Sequence, residues 1–81
     1  MDEVDVKVVA LVAEVLVDVD KEAIELDSKI VEDLGAESLD IYDMIALLED
    51  EFNLEIKDEE VEKIITVQDV ANYIKSQKAA S

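Results

Sequence analysis

Ser38 is the residue whose type and position in this chain most clearly suggest chemistry. Gly35, shortly before it, permits a tight turn, because glycine adopts positive φ without steric cost. Apolar residues after Ser38 recur at helical spacing, which predicts a helix from Ser38 to about Phe52. They are Ile41, Met44, Ile45, Leu48 and Phe52. We therefore expect a serine hydroxyl at the start of a helix, where unpaired N–H groups and the helix dipole favour an anion.

The chain lacks the side chains that most often act as general base or nucleophile. It contains no His and no Cys, so only a carboxylate is available to take a proton from Ser38. It also contains no P-loop, dinucleotide-binding or metalloprotease motif. The acidic run that begins at Asp18 lacks the glycine and the final glutamate of an EF-hand loop. We predict that the protein is not an enzyme and has no dedicated metal site.

The net charge of the chain limits the kinds of molecule that it can bind. The net charge is −16, from 23 acidic residues against seven lysines and no arginine. This charge excludes nucleic acid as a direct partner and disfavours anionic membranes, whereas it attracts basic protein surfaces. Since 51% of the residues are apolar and fall in helical register, we reject disorder as the explanation of the charge. No segment has the pattern of a signal peptide or a membrane span, so we expect a cytoplasmic monomer.

The pattern along the chain predicts an all-α fold. A first helix is expected from Val4 to about Val17, and a short third helix from Glu59 to about Ile64, capped by Asp58. Thr66 should cap the last helix, with Asp69 completing a capping box. With the helix that begins at Ser38, residues 1–81 form one domain, a small four-helix bundle of three longer helices and one short helix.

A long loop is expected between the first and second helices. It runs from Asp18 to Glu37, with a short turn near Lys21 to Ile24. Loops of this length in a small domain are usually functional or packed by their own side chains. Five apolar residues are spaced along it, and we expect them to anchor it to the core: Ile24, Leu26, Ile30, Val31 and Leu34.

The segment Asp33–Asp40 resembles the attachment motif of the acyl carrier protein family, an Asp-Leu-Gly followed by an (Asp)-Ser-Leu-(Asp) sequence. The resemblance runs in register from about Val31 to Ile74. Its further parts are Leu48–Phe52, Ile56–Ile64 and Thr66–Val70. It implies an up-down four-helix bundle in which Ser38 carries 4′-phosphopantetheine through a phosphodiester. Acyl groups would then be bound as thioesters to the thiol of that arm, so the reactive sulfur would be supplied by the prosthetic group.

A recognition face is predicted around Ser38 and along the outer side of the second helix. At about 100° per residue, its outer positions lie opposite the apolar stripe. They are Leu39, Tyr42, Asp43, Ala46, Glu49 and Asp50, and Glu37 and Asp40 flank the serine. Between Glu37 and Glu62 there are 11 acids and one lysine. The resemblance implies that this face docks on basic patches of a phosphopantetheinyl transferase and of acyl-handling enzymes.

The resemblance further implies an apolar cleft beside the second helix into which an acyl chain folds back. The residues assigned to it are Met44, Ile45, Leu48, Ile64 and Ile74. Ordinary core packing explains these residues equally well.

Some positions depart from the family pattern, among them Glu37 for the usual Asp, Ala46 for a larger apolar residue and Lys57 for a common proline. These differences leave the carrier interpretation intact, but they leave open whether the pathway is housekeeping fatty acid biosynthesis or a specialised one. Two alternatives stay open: a carrier of aminoacyl or polyketide cargo, and an unmodified acidic helical module that binds divalent cations or a basic partner.

Overall fold

Within residues 2–80, the backbone forms four α-helices and one short 3₁₀ turn. The computed structural model describes the backbone of residues 2–80 and the side chains of residues 2–78. The helices are α1 (Glu3–Val15), α2 (Ser38–Phe52), α3 (Asp58–Val61) and α4 (Val67–Ala80), and the 3₁₀ turn is Lys21–Ala23. The predicted small helical bundle, with three longer helices and one short helix, is confirmed.

Helix α1 is the central element, since it packs against α2, α4 and the 3₁₀ turn. A capping box begins it: the Asp5 N–H donates to the Asp2 carboxylate at 2.9 Å, and the Asp2 N–H donates back to Asp5 at 3.4 Å. The helix ends at Val15, two residues before the predicted end at Val17, because Leu16 leaves helical geometry at φ −92° and ψ 74°. Leu16 is buried instead in the core.

One continuous core joins α1, α2, α4 and the loops. Its buried apolar side chains are Val8, Val9, Val12, Leu16, Ile24, Ile30, Ala36, Met44, Ile45, Leu48, Ile56, Val67, Val70, Ala71 and Ile74. The apolar stripe predicted for α2 therefore faces apolar side chains of α1 and α4, and their burial supplies the main stabilising term for a chain with no disulfide.

Helix α3 differs from its prediction at both ends. It spans Asp58–Val61, and Lys57 occupies the N-cap position that we assigned to Asp58. Beyond Val61 the backbone continues in three-residue turns, because the Lys63 N–H bonds to Glu60 and the Ile64 N–H bonds to Val61. This tighter geometry is typical of 3₁₀ turns at helix ends and stops the α-helix before Ile64.

The long loop between α1 and α2 is held to the beginning of α4 by backbone hydrogen bonds. The N–H groups of Val67 and Gln68 donate to the carbonyls of Ser28 (3.1 Å) and Leu26 (2.7 Å). These donors lie in the first turn of α4, where no intrahelical acceptor exists. The loop therefore completes the hydrogen bonding of α4 while α4 fixes the path of the loop.

Four of the five predicted loop anchors are buried or half-buried. Ile24 and Ile30 lie in the core, and Leu26 and Leu34 pack against it. Val31 is 54% exposed, so its prediction as an anchor is wrong. The adjacent Ile30 takes the inward position, and its N–H donates to the Ile65 carbonyl at 2.9 Å.

The capping box predicted for α4 is confirmed. The Asp69 N–H donates to the Thr66 hydroxyl at 3.1 Å, and the Thr66 N–H donates to the Asp69 carboxylate at 3.0 Å. The Ile65 N–H donates to the same carboxylate at 3.0 Å. The bonds from Thr66 and then Ile65 hold the pKa of Asp69 below its usual value, because they favour the charged form.

A buried ion pair joins the two ends of the chain. Among residues 2–78, Asp5 is the one charged residue that is buried, with 6% of its surface exposed. The Lys75 ammonium of α4 lies 3.0 Å from the Asp5 carboxylate and 2.7 Å from that of Asp2. The hydrogen bonds to Asp2 and then Asp5 raise the pKa of Lys75, and the bond from Lys75 lowers the pKa of Asp2. Lys75 therefore clamps the start of α1 to α4.

The variant Asp69→Asn tests the α4 capping box through its pH dependence. At neutral pH it should lower the free energy of unfolding by about 1 kcal/mol, a usual cost of weakening a helix cap. A lowered pKa means that the carboxylate stabilises the fold above the ordinary value of 3.8 and loses this effect as the pH falls through the folded-state pKa. Urea unfolding should therefore show a stability difference that shrinks below pH 3.8. A difference that grows on acidification would contradict the assignment.

The variant Lys75→Met tests the clamp between the chain ends. It should lower the midpoint of thermal unfolding, because the Asp5 carboxylate then stays buried without its counter-ion. Adding Asp5→Asn should recover part of the loss. The matched control is Lys63→Met, which removes an exposed ammonium paired with Glu60 on the same turn and should change the midpoint little. Equal midpoints for the two single variants would show that the clamp does not stabilise the fold.

Candidate attachment site and the surrounding surface

A left-handed turn at Gly35 brings the loop to the start of α2. Gly35 has φ +75°, and its N–H donates to the Val31 carbonyl at 3.0 Å. A Cβ atom on Gly35 would meet no atom within 4 Å, so the requirement for glycine comes from the backbone angle and not from lack of space. Ala36 follows in the core, and its N–H donates to Ile30 at 3.1 Å. The chain then leaves the core at Glu37 and presents Ser38 on the surface.

Ser38 is the first residue of α2, and Glu37 is its N-cap. The Glu37 N–H donates to the Asp40 carboxylate at 3.0 Å. This bond joins the N-cap residue to the first turn of the helix. Ser38 is exposed, and no hydrogen bond within the described part of the chain engages its hydroxyl. The structure therefore places the serine where the sequence predicted, at a helix start, with a hydroxyl that an enzyme can reach.

The electrostatic surroundings of Ser38 act in two directions. The start of α2 offers unpaired N–H groups and the positive end of the helix dipole, worth about 0.3–1 kcal/mol to an anion at an exposed site. The carboxylates of Glu37 and Asp40 stand beside it and repel a negative group. An anionic adduct on Ser38 is therefore tolerated at this position but not tightly held by local charge.

Most of the predicted recognition face lies on the surface of α2. Leu39 and Tyr42 are 76% and 62% exposed, so α2 presents two large side chains to solvent in its first turns. The other exposed members are Glu37, Asp43, Ala46 and Asp50. The structure thus brings apolar and acidic side chains together next to Ser38.

Two predicted members of the face also have roles within the fold. Asp40 accepts the Glu37 N–H, as described above, and is half-buried. Glu49 is half-buried as well, and its carboxylate accepts the Ile56 N–H at 2.9 Å, which ties α2 to the connector before α3. The second bond could not be predicted from local pattern, because it joins residues seven positions apart across the end of a helix.

A small apolar cavity lies between α2, the loop and the segment after α3. Its volume is about 20 Å³, room for about one water molecule. Four of the five residues predicted for an acyl cleft line it, namely Met44, Ile45, Leu48 and Ile64. Ile74 is buried but does not belong to the wall. Further lining residues that we did not assign are Val12, Ile30, Val31, Ile41 and Val70.

The described part of the chain shows neither a metal cluster nor a membrane-spanning helix. Among residues 2–80, no group of three or more acidic, His or Cys side chains is arranged to hold a metal ion. No helix in the same range is long and apolar enough to cross a bilayer.

Comparison with known proteins identifies the family. The family model for the phosphopantetheine attachment site matches residues 6–74. An acyl carrier protein of Campylobacter jejuni subsp. doylei (strain ATCC BAA-1458 / RM4099 / 269.97) is 50% identical over 74 residues, which cover 91% of this chain and 92% of the relative. This chain belongs to the acyl carrier protein family.

Other carriers of the family support the same assignment. The acyl carrier protein of Campylobacter concisus (strain 13826) is 54% identical over 56 residues, which cover 69% of this chain and 73% of the relative. That of Wolinella succinogenes is 53% identical over 60 residues, covering 74% and 79%. The family resemblance and the covalent 4′-phosphopantetheine expected from the sequence are confirmed.

The residues at the start of α2 fit such a group. An arm attached through a phosphodiester needs an accessible hydroxyl, and Ser38 supplies one without losing a hydrogen bond of the fold. The helix start favours the phosphodiester charge. A carrier protein of this family interacts with acyl-handling enzymes, and the surface next to Ser38 combines acidic and apolar side chains.

Proposed function

We propose that this chain carries acyl groups as thioesters on a 4′-phosphopantetheine arm attached to Ser38. The observation that carries the proposal is the exposed Ser38 hydroxyl at the first position of α2, directly after the turn at Gly35, within a chain of the phosphopantetheine attachment family. When bound, the group supplies the thiol that holds the acyl cargo. The chain supplies the attachment point and the surface that enzymes recognise.

The attachment reaction requires a separate transferase. The Ser38 oxygen forms a bond to the phosphorus of the pantetheine phosphate of coenzyme A, the bond from that phosphorus to the leaving 3′,5′-ADP breaks, and the serine proton passes to the transferase or to solvent. The chain has no His or Cys to assist, and only the carboxylates of Glu37 and Asp40 flank Ser38. We therefore assign the chain no catalytic role of its own.

The charge of the protein selects its partners. Net charge −16 and the exposed acids of α2 favour enzymes with basic patches, namely the phosphopantetheinyl transferase and the enzymes that load, modify or remove the acyl group. We assign it to fatty acid or related lipid biosynthesis, and the departures at Glu37, Ala46 and Lys57 are compatible with a specialised pathway. A monomer in the cytoplasm stays a prediction from the sequence.

The small apolar cavity is the candidate site for the acyl chain. At about 20 Å³ it is far too small for a fatty acyl chain, so the segments that line it must move apart when cargo enters. Its wall is formed by apolar side chains, which favour hydrocarbon over a polar aminoacyl group. We therefore favour acyl cargo and assign Met44, Ile45, Leu48 and Ile64 to the wall, but not Ile74.

Modification of Ser38 can be measured directly. Incubating the purified protein with coenzyme A and a broad-specificity phosphopantetheinyl transferase should add one phosphopantetheine to its intact mass. Ser38→Ala should abolish the gain, because the accepting oxygen is gone. The matched control is Ser76→Ala, which removes an exposed serine of α4 and should leave the gain unchanged. No mass gain in the unaltered protein would overturn the carrier proposal and favour an unmodified acidic module.

Methyl NMR can test which residues surround the cargo. Loading an octanoyl group on the arm should shift the methyl signals of Met44 and Ile64, because both line the cavity. The Ile74 methyl signals serve as the internal control and should shift much less, since Ile74 is buried outside the wall. Equal shifts for Ile64 and Ile74 would reject this position of the acyl chain, and no shift at all would indicate that the cargo stays outside.

A further inference from the structure

Tyr42 is the one residue of α2, apart from Ser38, whose side chain can donate a hydrogen bond. The other side chains of α2 are apolar or are carboxylates, and the helix contains no lysine. A phenol hydroxyl is neutral and donates one hydrogen bond. Tyr42 can therefore bind an anion on a helix where every charged side chain is negative.

The Tyr42 hydroxyl is available to a group outside the fold. The residue is 62% exposed, and no hydrogen bond within the described part of the chain engages its hydroxyl. The other tyrosine, Tyr73, differs in this respect, because its hydroxyl donates to the Glu55 carbonyl at 3.3 Å. Exposed tyrosines are common, so the position of the Tyr42 hydroxyl relative to Ser38 decides what it can bind.

Tyr42 lies one helical turn after Ser38, on the same side of α2. Residues four positions apart on a helix are neighbours, with about 5–6 Å between their Cβ atoms. Long helical side chains lean toward the N-terminal end of the helix and cover the turn before their own Cα. The phenol of Tyr42 is therefore expected over the first turn of α2, within reach of a phosphate on the Ser38 oxygen.

We propose that the Tyr42 hydroxyl donates a hydrogen bond to a non-bridging oxygen of the phosphodiester on Ser38. The carboxylates of Glu37 and Asp40 repel this group, whereas the N–H groups of the helix start attract it. A hydrogen bond to an ionised acceptor is stronger than one between neutral groups. The bond from Tyr42 holds one oxygen in a fixed direction and so restricts rotation of the arm about its first bonds. This inference rests on the proposed carrier function.

Phosphorus NMR of the phosphopantetheine-loaded protein tests the hydrogen bond. Tyr42→Phe removes the hydroxyl and keeps the ring, so it should move the phosphodiester signal by more than the linewidth. The matched control, Tyr73→Phe, removes the phenol hydroxyl of α4 and should leave the signal in place. Circular dichroism verifies that both variants keep the helical fold. An unchanged signal in Tyr42→Phe, or equal displacement in the two variants, would overturn the proposal.

Proton NMR of the unaltered loaded protein tests the position of the ring. The ring protons beside the Tyr42 hydroxyl should give NOEs to the methylene and geminal methyl protons that follow the phosphate in the arm. The ring protons of Tyr73 provide the internal control and should give none of these NOEs. If the Tyr42 ring gives none either, the hydroxyl does not lie at the phosphodiester and the proposal is wrong.

The intact mass separates failure of this inference from failure of the carrier proposal. If the unaltered protein gains no mass with coenzyme A and the transferase, the carrier function fails and the inference fails with it. If all three proteins gain one phosphopantetheine but their phosphorus signals coincide, the role of Tyr42 is refuted and the carrier function stands. A displaced signal in Tyr42→Phe alone, together with the Tyr42 NOEs, supports the hydrogen bond.

Discussion

The backbone pairing between the long loop and the beginning of α4 is the constraint on which the position of Ser38 depends. Val67 and Gln68 donate to loop carbonyls, and the Ile30 N–H donates to the Ile65 carbonyl. A loop of this length would otherwise cost much conformational entropy to order. Pairing with N–H groups that have no partner inside α4 satisfies both segments at once. From this fixed path, Ile30 and Ala36 enter the core and the turn at Gly35 delivers Ser38 to the surface.

Negative charge is the second constraint, and its compensation by lysine differs from one part of the fold to another. With 23 acids and seven lysines, most carboxylates have no cationic partner. Asp2 and Asp5 share Lys75 near the two ends of the chain, so a lysine lies where, among residues 2–78, a carboxylate is buried. Near Ser38, by contrast, Glu37 and Asp43 are exposed. Repulsion there opposes stability and at the same time attracts basic partners.

The sequence predicted those features that depend on local pattern. The turn at Gly35, the helix from Ser38 to Phe52 and the α4 capping box all follow from residue type and spacing, and each is present. The family resemblance rested on short motifs as well, first Asp33–Asp40 and then further segments in register as far as Ile74. Short motifs of this kind are readable because their hydrogen bonds join residues three or four positions apart.

The remaining features depend on contacts between distant segments and could not be read from local pattern. The ion pair of Lys75 with Asp5 joins opposite ends of the chain, and the bond from Ile56 to Glu49 crosses a helix end. Val31 was wrongly predicted to be an anchor, because the pattern of residues in an irregular loop does not show which of two adjacent apolar residues faces the core. Here Ile30 faces the core and Val31 is exposed. Ile74 lies in the core but outside the cavity, a distinction that only the packing of α4 decides.

Capping of α2 by Glu37 in place of Ser38 has a thermodynamic consequence. Had the serine oxygen been the helix cap, every addition or hydrolysis of its substituent would have changed the free energy of that helix. Because the Glu37–Asp40 bond closes the turn, the serine oxygen is outside the bonding that maintains the fold. A substituent on this oxygen would therefore remove no hydrogen bond from the turn, and it would affect the stability of the helix through its charge.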